Sequence, residues 1–264
     1  RAADLENQAF GDFHKFMKLF HAYKSKFGIK WGKPKPEVAE CLKNAMLYRR
    51  REDVLPDLPT KIWRDIPVRL DREAWMICDE LALKLESEGH SLDDMIESNV
   101  AFEELSKVRA ALARAKIPTL LKEIEIYEDS EEPLIVFSAH REPVDQLALR
   151  PGWAAITGDV SHSERTRIVE EFQAGRLKGL ALTIQAGGVG ITLTMAHQCI
   201  FVDLMWTPAL NKQAEDRLCR IGQTRGVIVN RLIGNHELDR HVMDVLHKKQ
   251  MLIEGSVERA AVAT

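Results

Sequence analysis

Beyond residue 117 the sequence alternates short apolar runs with segments of helical period. The runs are LIVFS (134–138), WAAI (153–156), LALTI (180–184), CIFVD (199–203) and VIVNRL (227–232). Strands that are apolar on both faces are buried on both, which is the pattern of a parallel sheet covered by helices on each side. The intervening segments 119–127, 143–149, 163–174, 209–221 and 236–253 have the apolar spacing of such helices. Residues 117–254 are therefore expected to form an α/β domain, followed by a tail at 255–264. In sheets of this kind ligands lie beyond the carboxyl ends of the strands. The polar residues at those ends are Ser138, His140 and Arg141, then Thr157, Gly158 and Asp159, then 185–190, and Asp203 with its neighbours to Trp206.

The first 116 residues are different in kind, a mostly helical appendage. Residues 1–27 carry Phe13, Phe16, Met17, Phe20 and Tyr23 as an apolar helical stripe. A Gly, Pro and Lys loop (28–36) and a second helix (37–48) follow, then the basic, proline-punctuated segment RRREDVLPDLPTK (49–61). By its residues alone that segment is a helix end with cations near the C-terminal dipole, running into an extended linker. Residues 62–70 alternate like a strand, while 71–88 and 101–115 suit amphipathic helices. Gly32-Lys33 is no phosphate loop: Pro34 stands where a hydroxyl must follow, and Gly28 is one position too close. Asp79-Glu80 lies within a helical pattern, not at a strand end where a magnesium-binding acidic motif belongs.

Composition narrows the function classes. At 264 residues, 45% hydrophobic and 29% charged, the chain can bury one sizeable core plus an appendage. Cys41, Cys78, Cys199 and Cys219 form no C-x-x-C pair, so neither a zinc site nor a disulfide framework is expected. No apolar run approaches membrane-spanning length and the N-terminus does not resemble a signal peptide, so an intracellular location is expected. A net charge of −3 argues against strong free-standing nucleic-acid binding and confines any such contact to a local patch.

Residues 183–223, TIQAGGVGITLTMAHQCIFVDLMWTPALNKQAEDRLCRIGQ, concentrate the chemistry. A glycine-rich turn follows an apolar strand. Its spacing lacks the third glycine of a dinucleotide fingerprint, but it can expose backbone amides and bring Thr192 and Thr194 to a phosphate chain. Downstream, Gln213, Arg217 and Arg220 stand at i, i+4 and i+7, which on a helix over 209–221 presents an amide and two guanidiniums on one face. A surface pair between Asp216 and Arg220, worth about 0.3–0.5 kcal/mol, is the plain structural alternative. It leaves Gln213 and Arg217 unexplained.

These residues resemble the second RecA-like lobe of the Swi/Snf ATPases in helicase superfamily two. Residues 185–194 are similar to that family's motif V, QAEDRLCRIGQ (213–223) to motif VI, and 135–141 to motif IV. ITGDVSHSERTRIVEEFQAG (156–175) resembles the strand-helix unit after motif IV, and RRREDVLPDLPTK the segment joining the two lobes. The wording of 116–142 and the QAEDR of motif VI look most like the annealing-helicase or fork-remodelling branch. Three positions depart from the pattern: Cys219 for a usual histidine, Thr192 for a common asparagine, and Thr207 for the asparagine of W-N-P.

The resemblance implies a RecA-like lobe at 117–254, with 1–70 a helical protrusion and inter-lobe connector and 71–116 a protrusion of the second lobe. It implies part of an ATP-hydrolysing double-stranded DNA translocase, inactive alone because the phosphate loop and the magnesium-binding Asp-Glu belong to a first lobe. Arg220 is then the arginine finger, with Arg217 the alternative and Gln213 an orienting partner. Gly188, Gly190 and Asp216 would adjoin the nucleotide, which is ATP with Mg2+ held mainly by the other lobe. His140, Arg141, Thr157, Gly158, Gln185, Thr192, Thr194 and Trp206 would face DNA, Trp206 either bracing that track or filling core. The implied partners are double-stranded or branched DNA and the first lobe, with no membrane and no metal ligand on this chain. The compartment would be cytoplasm or nucleoid in a bacterium or phage and the nucleus in a eukaryote. A non-catalytic DNA- or protein-binding module on the same lobe is the alternative. An RNA helicase fits less well, since its motif VI would more typically read G-R-x-G-R.

Overall fold

The computed structural model describes residues 10–25, 28–45, 54–87, 102–187 and 190–254. The chain divides into two compact units, one of residues 1–56, 84–105 and 245–264, the other of 57–83 and 106–244.

The first unit begins with helix α1 (Phe13–Leu19), started by the Asp12 carboxylate accepting from the Lys15 amide at 2.7 Å. The helix expected to reach residue 27 stops at Leu19, and the chain turns back through His21 at φ 47°. Strands β1 (Tyr23–Ser25) and β2 (Gly28–Lys30) then pair antiparallel, so the expected loop at 28–36 opens as a strand. Aromatic packing accounts for the early stop. Trp31 sits edge-on to both Phe16 and Phe20, with centroids at 5.6 and 5.9 Å, which pulls the segment after the turn against the helix. Helix α2 (Glu37–Ala45) completes a small core of Phe10, Leu19 and Val38. Phe13 and Tyr23, expected on the buried stripe, are exposed.

The second unit is built on a six-stranded, all-parallel sheet. Its strands are β3 (Lys61–Val68), β4 (Leu134–Ser138), β5 (Trp153–Ile156), β6 (Gly179–Thr183), β7 (Gln198–Phe201) and β8 (Val227–Gly234), in the order β3-β8-β7-β4-β6-β5. Along the chain after β3 the helices are α3 (Arg72–Ser87), α4 (Phe102–Ala115), α5 (Ile117–Asp129), α6 (Arg141–Ala148), α7 (His162–Gln173), the single turn α8 (Ile184–Gly187), α9 (Pro208–Glu215) and α10 (Glu237–Ile253), of which α5 to α9 lie wholly in this unit. This is the parallel α/β sheet expected from the strand rhythm, in the RecA-like form that the resemblance implies. Strand β4 is buried along its whole length between β6 and β7, and Phe137 stacks on Phe201 of β7 at 5.0 Å.

Three expectations are corrected here. Strand β3 had been assigned to the connector ahead of the lobe, yet it is an edge of the lobe's own sheet, registered against β8 from Lys61↔Val227 to Val68↔Gly234. Being paired on one side only, it tolerates Pro67, which has no amide to donate. The helix expected over 209–221 ends at Glu215, and residues 216–222 run on as turns. The end of the first 116 residues, expected only as helical appendage, holds a buried cation. Lys116, 1% exposed, donates to the carbonyls of Val202 (3.1 Å) and Leu232 (2.9 Å) and pairs with Asp239. The basic run 49–51, the middle of the expected protrusion at 88–101, and the tail lie outside the described residues.

Candidate functional site

Two groups of polar residues form on this sheet. The first stands at the carboxyl ends of β4, β5 and β7. Asp203, just past β7, is buried and accepts from Ser138 Oγ at 2.6 Å, from the Ala139 amide at 3.0 Å, and from His140, whose Nδ1 lies 2.6 Å away. Its other neighbour is the Arg109 guanidinium at 3.7 Å, which also donates to the Leu204 carbonyl and lies 4.5 Å from the Trp206 ring centroid. Burial alone would raise the Asp203 carboxyl; the bond and charge of His140, the charge of Arg109 and the Ser138 hydroxyl outweigh it and hold it near about 2. Burial pushes Arg109 down, against the opposing charges of Asp203 and Asp239.

Toward the β5 side the edge becomes exposed and charged. Arg141 reaches Asp145 at 3.0 Å on its own helix and Asp159 beyond β5, spanning the tip of β6 between them. Thr157 is buried beside exposed Gly158, where an added Cβ would meet nothing within 4 Å, and Gln185 is exposed at the tip of β6. Backbone and side chain at this edge are open to a large ligand.

The second group is the glycine-turn segment and the arginine turn. Leu193 donates its amide to the Arg217 carbonyl at 2.9 Å. Buried Gln223 reaches the carbonyls of Ala196 (2.8 Å), Thr194 (3.2 Å) and Leu218 (3.3 Å), stapling the two segments together. Arg220 donates from Nε to the Asp216 carbonyl and from Nη1 to Thr192 Oγ1, both at 3.2 Å. Arg217 is 7% exposed; burial, then the nearby charge of Arg220, lower its pKa, while Asp216 works the other way. The side-chain pair between Asp216 and Arg220, the plain structural alternative, is not the arrangement formed, because the Asp216 carboxylate turns to Lys61 at the start of β3.

This second group corrects the sequence expectation about location. Gln173, at the end of α7, binds the Thr194 hydroxyl at 3.2 Å and the Met195 amide at 3.0 Å, and Pro59, just before β3, accepts from Cys219 Sγ at 3.6 Å. Those neighbours all lie where strands begin. The arginine turn, Thr192 and Thr194 therefore sit apart from His140 and Asp203, toward the opposite end of the sheet. Thr194 in particular is spent on the internal staple. Gln213 is exposed on α9, Gly190 adopts φ 53°, and Gly188 lies outside the described residues. Of the residues that organise the two groups, Arg109, Gln223 and Lys61 were not singled out from sequence as site residues, and Asp203 was marked only as a polar residue at a strand's end. Only Asp203, a carboxylate at the end of an apolar strand, carried a local signal.

The sequence pattern described as the helicase conserved C-terminal domain matches residues 115–222, which contain the α5 to α9 framework and most of both groups. The chain carries a helicase C-terminal domain. It is 29% identical over 229 residues to the human protein named DNA annealing helicase and endonuclease ZRANB3, covering 81% of this chain and 20% of that protein. It is 32% identical over 182 residues to the putative ATP-dependent helicase/translocase YwqA of Bacillus subtilis, covering 69% of this chain and 18% of that one. The chain thus spans about a fifth of the length of these relatives. The same fold is seen in the Sulfolobus solfataricus SWI2/SNF2 ATPase core solved with double-stranded DNA. Its TM-score is 0.59 at 23% identity, over 96% of this chain and 58% of that one. The C-terminal domain of that ATPase gives a TM-score of 0.55 at 20% identity, over 72% and 86% of the two chains. Among the described residues of this helicase domain, no helix is long and apolar enough to cross a membrane.

Proposed function

We propose that this domain is the nucleotide-sensing and DNA-gripping half of an ATP-dependent double-stranded DNA translocase. The observation that carries the proposal is the bonding of Arg220. Both its acceptors, a carbonyl and a hydroxyl, are neutral, and among the described residues it forms no ion pair. A charge-assisted bond is roughly twice as strong as a neutral one, so a guanidinium held this way gains most from an incoming anion. Buried Arg217 beside it doubles the local positive charge. The pair suits a polyphosphate, which is the test of fit for ATP.

In this reading Arg220 reaches the γ-phosphate, with Arg217 as the alternative finger. Gln213, on the last turns of α9, orients the anion, and the backbone at Gly190 adjoins it. ATP supplies a phosphoryl group whose developing charge a guanidinium can stabilise, a contribution of about 10³ to 10⁵ in rate where such fingers act. The sequence contains no G-x-x-x-x-G-K-[ST], so the phosphate loop and the magnesium ligands are assigned to a partner lobe. Closure of two lobes on ATP and release on ADP would follow from the contact that only the γ-phosphate offers. The strand-tip group takes the DNA: Arg141, Gly158 and Gln185 at the exposed edge meet the backbone, while Thr157, His140 and Trp206 support it. Thr192 and Thr194 leave that set, because they belong to the arginine turn. The name of the human relative, DNA annealing helicase and endonuclease, favours duplex or branched DNA and a nuclear location should the source be eukaryotic.

The test has two arms. The chain alone, with ATP, Mg2+ and duplex DNA, is expected to release no phosphate above background. In the intact protein joined to its phosphate-loop lobe, Arg220→Ala is expected to lower kcat about 10³-fold or more with KM for ATP little changed. Turnover by the chain alone that Arg220→Ala leaves untouched overturns the proposal.

A further inference from the structure

Strand β3 and the residue two positions ahead of it make four contacts with the end of α9 and the arginine turn, and their chemistry assigns the strand a task beyond completing the sheet. Lys61 Nζ pairs with the Asp216 carboxylate and lies 3.4 Å from that of Glu215. Trp63 Nε1 donates to Glu215 at 3.3 Å, and Pro59 accepts from Cys219 at 3.6 Å. Lys61 and Glu215 are nearly buried, so this cluster is shielded from salt better than a surface pair. Burial raises the Glu215 carboxyl, with Lys61 and Trp63 pulling it back and Asp216 pushing it up. Two carboxylates thus share one ammonium, and Asp216 is the member nearer the arginines.

We infer that Lys61 is a positioning residue that keeps the Arg220 guanidinium open to an anion by drawing the Asp216 carboxylate away from it. Arg220 already touches Asp216 through its backbone carbonyl, so the carboxylate of the same residue lies within side-chain reach of the guanidinium. That carboxylate instead faces Lys61. Arg217 also feels the Asp216 charge, so removing Lys61 returns that charge to both arginines. The consequence is a coupling between strand and turn: the residues that enter β3 set the availability of the finger. This rests on the assignment of Arg220 to the nucleotide.

Nitrogen-15 NMR of the arginine guanidiniums reads the arrangement directly, since a carboxylate pair slows rotation about Nε–Cζ and splits the Nη signals. In the wild-type chain the Arg220 Nη signals are expected to be averaged. Lys61→Met, or Lys61→Gln if the Met variant does not fold, is expected to split them; Lys61→Arg is expected to leave them averaged. Adding Asp216→Asn to either uncharged variant is expected to restore averaging, a rescue that a merely structural role of Lys61 does not predict. In the intact protein the uncharged Lys61 variants are expected to lower kcat about tenfold and Lys61→Arg to leave it near wild type. Unchanged Arg220 signals in both uncharged variants, or no rescue by Asp216→Asn, overturn the inference. If instead the NMR series behaves as stated while Arg220→Ala leaves turnover intact, the assignment of Arg220 to the nucleotide is what fails.

Discussion

The imidazole Nδ1 of His140 lies 2.6 Å from a carboxylate oxygen of Asp203, and that one contact joins the tips of two adjacent strands, β4 and β7. The carboxyl of Asp203 is held at about 2, below its ordinary 3.8, so the folded state favours the ionised form. The stability this contributes is present above about pH 4 and is lost as pH falls through about 2; by linkage it amounts to roughly 2 kcal/mol. Urea midpoints from pH 6 to pH 2 are expected to drop steeply below pH 4 in the wild type. Asp203→Asn should flatten that drop, and an equally steep acid limb in the variant would show that the stabilisation lies elsewhere.

Lys116 is a fully enclosed cation with two carbonyls and one carboxylate around it. Lys116→Met leaves Asp239 without its ammonium, and is expected to cost about 3–5 kcal/mol. Adding Asp239→Asn should recover part of the loss, although the Gly234 amide then keeps a weaker acceptor. A double-mutant cycle by chemical denaturation measures the coupling.

Gly179 opens β6 directly under the indole of Trp153, where an added Cβ would come within 2.4 Å of the ring. Trp153 cannot yield cheaply, because its Nε1 is bonded to Glu128 at 2.8 Å, which in turn holds Arg150. Gly179→Ala is therefore expected to destabilise by about 1–3 kcal/mol and to shift the tryptophan emission. An unchanged thermal midpoint would contradict the packing described here.

Arg141 tests the exposed edge as a track for a sugar-phosphate backbone. Its two partners, Asp145 and Asp159, are themselves exposed and exchangeable for phosphate oxygens. Arg141→Ala should weaken duplex binding evenly across sequences and reduce the slope of log K against log salt by about 0.9. Fluorescence anisotropy over a salt series gives both quantities, and a slope equal to the wild type's would remove Arg141 from the interface.

Strands β4 and β5 were legible to the residue, because each is an apolar run bounded by polar or glycine residues. The end of α9 was not. Helical spacing continues through Arg220 with no breaker before Gly222, and what ends the helix at Glu215 is tertiary: Lys61 takes the Glu215 and Asp216 carboxylates and Pro59 takes Cys219. The same distance effect hid the place of β3, since alternation marks a strand but does not name its partner, here β8 at the far end of the chain. Arg109 and Lys116 were illegible for a further reason. A cation within a helical pattern has the look of a solvated residue, and only the assembled core makes it a buried one. In the second group the arginines were found by spacing, but their position relative to the strand tips depended on a return path that glycine-rich sequence does not encode.

Strand β3 also has a mechanical meaning. Because it lies parallel to β8 over eight paired positions, a pull along its axis from the chain ahead of Lys61 strains the whole ladder in shear, not one rung at a time as in unzipping. An edge built this way resists detachment while still passing force inward, and the first side chain to feel that force is the one gripping the turn that bears Arg220.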